Sequence, residues 1–311
     1  MEDYELVIIG AGVAGLAAGI YGVRSGLKTL VLEEKLAGGA VGDAPSVENY
    51  LGFEKISGTE LMQKMVGQAR KLGVTIREFE AVKSLDLKTD EKIVRTDKAS
   101  YSAKAVIIAT GSEYRQLDVP GESEFRGKGV SYCGLCDGPL FKGKKLLVVG
   151  GGNSAAITAL YLAGIASEVK IVHRRDAFRA EDALIEEIKG KPNAEILYDT
   201  EVKEIRGDRL VNRVILFNNK NGESRELAVD GVFIQVGECP NSQIASEAGV
   251  AVNDDGNITV DFLQKTSIVG VYAAGDVTTH PVKQIGTAAG QGITAATEAY
   301  AYIRRPYYRN K

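Results

Sequence analysis

The sequence predicts an α/β protein of two similar units, each a parallel sheet covered by helices, with the second unit inserted in the first. Two observations carry this reading. A β-type run, a glycine-rich turn and a helix-like stretch follow one another twice, first at Leu6-Val7-Ile8-Ile9 with Gly10-Ala11-Gly12-Val13-Ala14-Gly15, then at Leu146-Leu147-Val148-Val149 with Gly150-Gly151-Gly152-Asn153-Ser154-Ala155. Each is echoed by a later apolar run ending at a glycine, Ala105 to Gly111 and Gly231 to Gly237. The chain has 311 residues, a length that fits about two domains.

In the first unit a strand is expected over Glu5 to Ile9, a helix over Ala14 to Arg24 and a second strand over Thr29 to Leu32, closed by Glu33. This is a Rossmann-like pattern. Gly10, Gly12 and Gly15 permit a tight turn, and with Ala14 they bring the backbone up to a pyrophosphate at a helix N-terminus. Glu33 accepts hydrogen bonds from ribose hydroxyls. In the second unit the strand is Lys145 to Val149 and the helix Ser154 to Ala163, so Gly150, Gly152, Asn153 and Ser154 form the equivalent cradle. The next strand, Val169 to Val172, leads into His173-Arg174-Arg175-Asp176-Ala177-Phe178-Arg179. Where the first unit has an acid, this one has cations. An acid repels a 2′-phosphate, whereas Arg174, Arg175 and Arg179 bind one through charge-assisted, bidentate hydrogen bonds. The two units therefore suggest two dinucleotides, FAD and NADPH.

Val271-Tyr272-Ala273-Ala274-Gly275-Asp276-Val277 is a further short β run, with a helix expected from about Gln284. Gly275 and Asp276 suit a polyol such as the ribityl chain of FAD, and the helix end suits its phosphates. The run belongs with the first unit, like Gly111. The FAD-binding domain is then discontinuous, 1–113 and 243–311. The inserted domain, 114–242, carries the NADPH turn, and the chain crosses within 112–117 and 239–242.

The insert also holds Cys133-Gly134-Leu135-Cys136-Asp137. Two cysteines at this spacing close a small, readily reduced disulfide, and Asp137 beside them is a candidate acid–base group able to protonate a leaving thiolate. Zinc would need four ligands, and Cys239, His173 and His280 lack metal spacing, so no metal is expected. Three cysteines in all argue against a structural disulfide framework and fit a reducing compartment. A formal net charge of −3 gives no sign of nucleic acid or an anionic membrane as partner. Leu6 to Val23 lacks charge, but its five glycines and its dinucleotide fingerprint argue against a membrane span. The acidic Glu2, Asp3 and Glu5 argue against a signal peptide.

With these residues in place the chain resembles the low-molecular-weight thioredoxin reductases over essentially its full length. The motifs occur in order: the first glycine turn, Gly38-Gly39, Val47-Glu48-Asn49, Cys133 to Gly138, the second glycine turn, His173 to Arg179, and Ala274 to Val277. Four departures stand out: Gly134-Leu135 inside the cysteine pair, Asn153 where Asp is frequent, Lys283-Gln284-Ile285 for Arg-Gln-Ala, and Ala40 for Gln. The resemblance implies NADPH-dependent, FAD-linked reduction of a thioredoxin- or glutaredoxin-like protein by a cytoplasmic homodimer. It places Gly38, Gly39, Asn49, Lys283, Gln284 and Ile285 at the flavin nucleotide and His173 with the arginine cluster. It makes Cys136 the flavin-facing sulfur and Cys133 the attacking one. Because the dithiol and the nicotinamide site share the insert while the flavin lies in the other domain, rotation of the insert between half-reactions is expected. The Tyr302 to Lys311 stretch carries no second cysteine pair, which sets the chain apart from the high-molecular-weight type. The alternatives are a same-fold flavoprotein using ferredoxin or a deazaflavin as donor, a dithiol oxidase, and, more remotely, a flavin redox sensor without turnover.

Overall fold

The computed structural model describes residues 1–44 and 46–304. Residues 305–311, including most of the cysteine-free C-terminal stretch, lie outside them, as does Pro45. The chain divides into two compact units, one of Met1–Glu113 together with the chain from Cys239 on, the other Tyr114–Glu238.

The first unit is built on a seven-stranded sheet. Leu6, Val7, Ile8 and Ile9 are buried on both faces, as a central parallel strand requires, so Glu2–Ile9 lies mid-sheet. Thr29–Leu32 pairs with it on one side, followed by Thr75–Arg77; Ser100–Ile108 pairs with it on the other, all parallel. Ser100–Ile108 is shared lengthwise. Its first half pairs antiparallel with Lys92–Thr96, which continues to Val82–Asp86, while Val106, Ile107 and Ile108 pair parallel with Val271–Ala273. The antiparallel pair carries no motif and was not expected from the glycine pattern.

The helix Val13–Arg24 follows the first turn, and Ile285–Arg304 packs across it. Both faces are made of small residues, Ala14 and Ala18 on one and Gly292, Ala295, Ala296 and Ala299 on the other, all in one core cluster except the glycine. A Cβ at Gly292 would overlap the Ala14 carbonyl. Gly292→Ala is therefore expected to cost about 1–3 kcal/mol by overpacking and to push the first glycine turn off its position. A lowered denaturation midpoint together with weaker FAD retention in the purified variant would bear this out; an unchanged midpoint would show that the helices simply slide apart.

The second unit repeats the order of the first four parallel strands, but its outer strand comes first in the unit rather than last. Lys145–Val149 is flanked by Glu168–Val172 and then Ala194–Leu197 on one side, and by Gly231–Ile234 and then Val130–Ser131 on the other, all parallel. A three-stranded antiparallel sheet, Thr200–Gly207, Val211–Asn218 and Ser224–Ala228, is added to it. The helix Asn153–Ala163 buries Ala155, Ala156, Ala159 and Leu162 against the parallel sheet.

Candidate active site

In the first unit Gly10 takes φ +102°, and the turn leads straight into the helix Val13–Arg24. Glu33 reaches back from the end of the second strand. One carboxylate oxygen accepts the Ala11 N–H at 2.8 Å and the other the Lys35 N–H at 2.9 Å. A carboxylate has about four acceptor positions, so capacity remains for ribose hydroxyls. Gly38 closes over the same turn, its N–H donating to the Ala11 carbonyl at 3.0 Å. Ala14 meets Gly275 from the far end of the chain: a Cβ on Gly275 would lie 3.0 Å from that of Ala14. The Gly275 N–H donates to Gln291 Oε1 at 2.6 Å, while Gln291 Nε2 is buried with no partner. An orphaned donor beside a glycine cradle is what an oxygen-rich nucleotide would satisfy, so these residues fit FAD.

The Asn49 amide donates to Gln284 Oε1 at 3.1 Å, joining two expected flavin residues from opposite ends of the unit. Lys283 behaves differently from a simple cation beside a flavin. Its ammonium donates to the carbonyls of Asp276, at 2.8 Å, and Thr278, and so holds the loop that presents Asp276. Ile285 starts the final long helix and packs against two core clusters. Gly39, at the start of the 3-10 helix Gly39–Asp43, and Gly111 both take positive φ, and the Gly111 carbonyl accepts the Asn241 N–H at 3.0 Å.

In the second unit the arginine loop is framed by its main chain. The Arg179 N–H donates to the Gly151 carbonyl at 2.7 Å, the Asp199 N–H donates to the Arg175 carbonyl at 3.0 Å, and the Asn219 amide reaches the Arg174 carbonyl at 3.2 Å. The side chains of Arg174, Arg175 and Arg179 are exposed on the same loop. His173 is not exposed with them. Its ring lies so close over Gly151 that a Cβ there would overlap it, and it meets Phe178 edge-on at 5.2 Å. Burial first, then the neighbouring arginine charges, push its pKa down, opposed by a bond with the Ala177 backbone. Its Nε2 is buried with no partner. The cationic loop, the turn Gly150–Gly152 and this orphaned nitrogen fit a phosphorylated dinucleotide.

The departure at Asn153 has a structural reason. Its amide donates to Glu181 Oε1 at 3.0 Å and its carbonyl accepts the Glu181 N–H at 2.9 Å. An aspartate there would set two carboxylates at hydrogen-bond distance. Ser154 follows, exposed, in the first turn of the helix.

Cys133 and Cys136 form a disulfide with their Cα atoms 5.3 Å apart. Cys133 is half-buried, Cys136 exposed, and the Cys136 N–H points at Cys133 Sγ at 3.1 Å. The short helix Gly134–Asp137 sits on Asn153–Ala163, and any Cβ at Gly134 would press within about 3 Å of several Thr158 side-chain atoms, which explains a glycine inside the pair. Asp137 is largely buried; burial pushes its pKa up, and a hydrogen bond from Ser131, 2.6 Å to Oδ2, opposes the rise. Tyr132 beside the pair is anchored by Glu122, at 2.7 Å, and by the Gln235 amide on its carbonyl. Ser131, Gln291, Glu181 and Glu122 carry no motif. Only Ser131, a hydroxyl two residues before Cys133, lies near enough in sequence to have drawn attention.

A reducible disulfide seated on the helix of a nucleotide turn, in a chain with a second such turn, defines a dinucleotide-linked disulfide oxidoreductase. Comparison with known proteins agrees. The profile of the pyridine nucleotide-disulphide oxidoreductases matches residues 4–292. The chain is 42% identical to the thioredoxin reductase of Bacillus subtilis (strain 168), over 96% of this chain and 95% of that protein. It is also 42% identical to a Clostridium pasteurianum protein described as a 34.2 kDa protein in rubredoxin operon, over 97% and 98%. The crystal structure of thioredoxin reductase from Streptococcus pyogenes MGAS5005 is similar with a TM-score of 0.93 and 40% identity, covering 97% of this chain and 98% of that one. The chain belongs to the pyridine nucleotide-disulphide oxidoreductase family, in its thioredoxin reductase branch. Among the described residues no helix is long and apolar enough to cross a membrane.

Proposed function

We infer that this chain is an NADPH-dependent thioredoxin-disulfide reductase, a cytoplasmic homodimer that holds FAD in its first unit and NADPH in its second. The observation that carries the reading is the seating of the Cys133–Cys136 disulfide on the helix that begins at the second glycine turn. Bound FAD supplies the two-electron exchange between nicotinamide and disulfide. The chain's residues do the rest. Gly10, Gly12, Gly15 and Gly275 admit the nucleotide backbone, Glu33 takes ribose hydroxyls, and Lys283 holds the loop of Asp276. Arg174, Arg175 and Arg179 hold the 2′-phosphate, with His173 as a neutral prop beneath their loop. Cys136 takes the reducing electrons, and Cys133 attacks the disulfide of a thioredoxin- or glutaredoxin-like protein. Asp137 accepts the Cys133 proton as the thiolate forms and returns it to the partner sulfur that leaves; Cys136 then attacks the Cys133 sulfur of the mixed disulfide and releases the second partner sulfur as a thiol. The enzyme dithiol becomes a disulfide as the substrate disulfide becomes a dithiol. NADPH and one solvent proton restore the enzyme. The insert rotates about the crossings at 113/114 and 238/239 so that nicotinamide and dithiol take turns.

Anaerobic stopped-flow mixing of the yellow protein with NADPH and, separately, NADH tests this reading. Flavin bleaching is expected to be much faster with NADPH, and catalytic thioredoxin then to drive sustained NADPH consumption. Bleaching by neither nucleotide would remove NADPH as donor and turn attention to ferredoxin or a deazaflavin.

A further inference from the structure

We propose that Ser131 is a positioning residue for the dithiol chemistry, its hydroxyl joining Asp137 to Cys133 and serving Asp137 in both of its protonation states. The proposal rests on the acid–base reading of Asp137 given above. Ser131 ends the edge strand Val130–Ser131, is buried, and is set in register by pairing opposite Phe233. Its oxygen makes three contacts: 2.6 Å to Asp137 Oδ2, 3.1 Å from the Cys133 N–H, and 3.3 Å to the Cys133 carbonyl. A hydroxyl has one proton and two lone pairs. Ionised Asp137 takes that proton as a hydrogen bond, while the Cys133 N–H fills a lone pair. Protonated Asp137 instead donates to the remaining lone pair, and the hydroxyl proton turns to the Cys133 carbonyl. The acid can thus gain or lose its proton without a buried polar group going unpaired and without any side chain moving.

The surroundings leave this task to Ser131. Among the described residues, Tyr132 beside it has its hydroxyl tied to Glu122, Tyr161 on the packed helix turns its ring to Gly138, and the two cysteines are joined as a disulfide. The adjoining strand Gly231–Ile234 has no titratable side chain. Burial raises the Asp137 carboxyl, and the Ser131 hydroxyl is what opposes it. Removing a donor to the charged form raises the pKa further. The sign is therefore fixed: in Ser131→Ala, Asp137 holds its proton to higher pH, and a step needing the carboxylate fails at a higher pH than before.

The test uses the full-length, FAD-loaded protein. Asp137 is titrated by carboxyl-carbon NMR in the disulfide form, its signal assigned by loss in Asp137→Asn. In Ser131→Ala the midpoint should rise by about one to two pH units, the worth of a hydrogen bond to a charged group. The acidic limb of thioredoxin reduction by the enzyme dithiol should move up with it, while flavin reduction by NADPH stays normal. Adding Ser131→Ala to Asp137→Asn should shift nothing more. An unmoved Asp137 midpoint, or a rate lowered equally at every pH, overturns the proposal and leaves Ser131 a turn-forming residue. Failure of the underlying reading looks different: Asp137→Asn would reduce thioredoxin at the normal rate, whatever the midpoint does in Ser131→Ala.

Discussion

Cys133→Ser is expected to give a protein that stays yellow and is bleached by NADPH, yet reduces protein disulfides on the order of a thousandfold more slowly or not at all. The two sulfurs act as one group. Without Cys133 there is no nucleophile toward the substrate disulfide, and Cys136 alone closes no ring with a partner in the same chain. A serine hydroxyl loses its proton far less readily than a thiol, so it cannot stand in as the attacking group. The substitution should leave the fold intact, since Cys133 is half-buried and serine keeps an acceptor near the Cys136 N–H. Separate measurement of the two half-reactions checks this. Sustained thioredoxin reduction by the variant would mean that electrons leave by another route, and the role of the pair would have to be abandoned.

The second large effect falls on nucleotide choice. Replacing Arg174 and Arg175 together by alanine should raise KM for NADPH on the order of a hundredfold and leave KM for NADH nearly unchanged. A hydrogen bond to a charged group contributes about 1.5–3 kcal/mol, and neighbouring contacts are not additive, so a combined loss near 2.7 kcal/mol, or a hundredfold, is the reasonable scale. The loop should survive because its anchors are main-chain groups: the Arg174 and Arg175 carbonyls, the Arg179 N–H and the Gly151 carbonyl. Steady-state kinetics with both nucleotides gives the answer. An equal rise for NADPH and NADH would assign the arginines to the shared part of the nucleotide, and no change at all would detach them from the donor.

The sequence revealed most where chemistry is local. A glycine turn, the strand before it and the helix after it are neighbours in the chain, so both strand–turn–helix units could be read directly, with strand ends at Ile9, Leu32, Val149 and Val172 matching the structure. What escaped was made by pairs far apart. Gln291 meets Gly275, Glu181 meets Asn153, and Gly292 meets Ala14, and no spacing rule signals such meetings. His173 shows the limit most clearly. It stands in a run of cations and reads as one of them, yet its strand end turns the ring inward over Gly151 while the next two residues turn out. The antiparallel strands of both units were missed because alternation over so few residues is weak against the glycine motifs beside it.

The lengthwise sharing of Ser100–Ile108 has a consequence for how the chain is made. Val106 to Ile108 face Val271–Ala273, which emerges from the ribosome only after the whole insert. At about 5–20 residues per second the nascent first unit waits several seconds or more with an apolar strand edge open and its final helix unmade. The insert is continuous in sequence and can close meanwhile. The unit translated first is therefore the one completed last, and chaperone binding to stalled nascent chains should concentrate on that waiting edge.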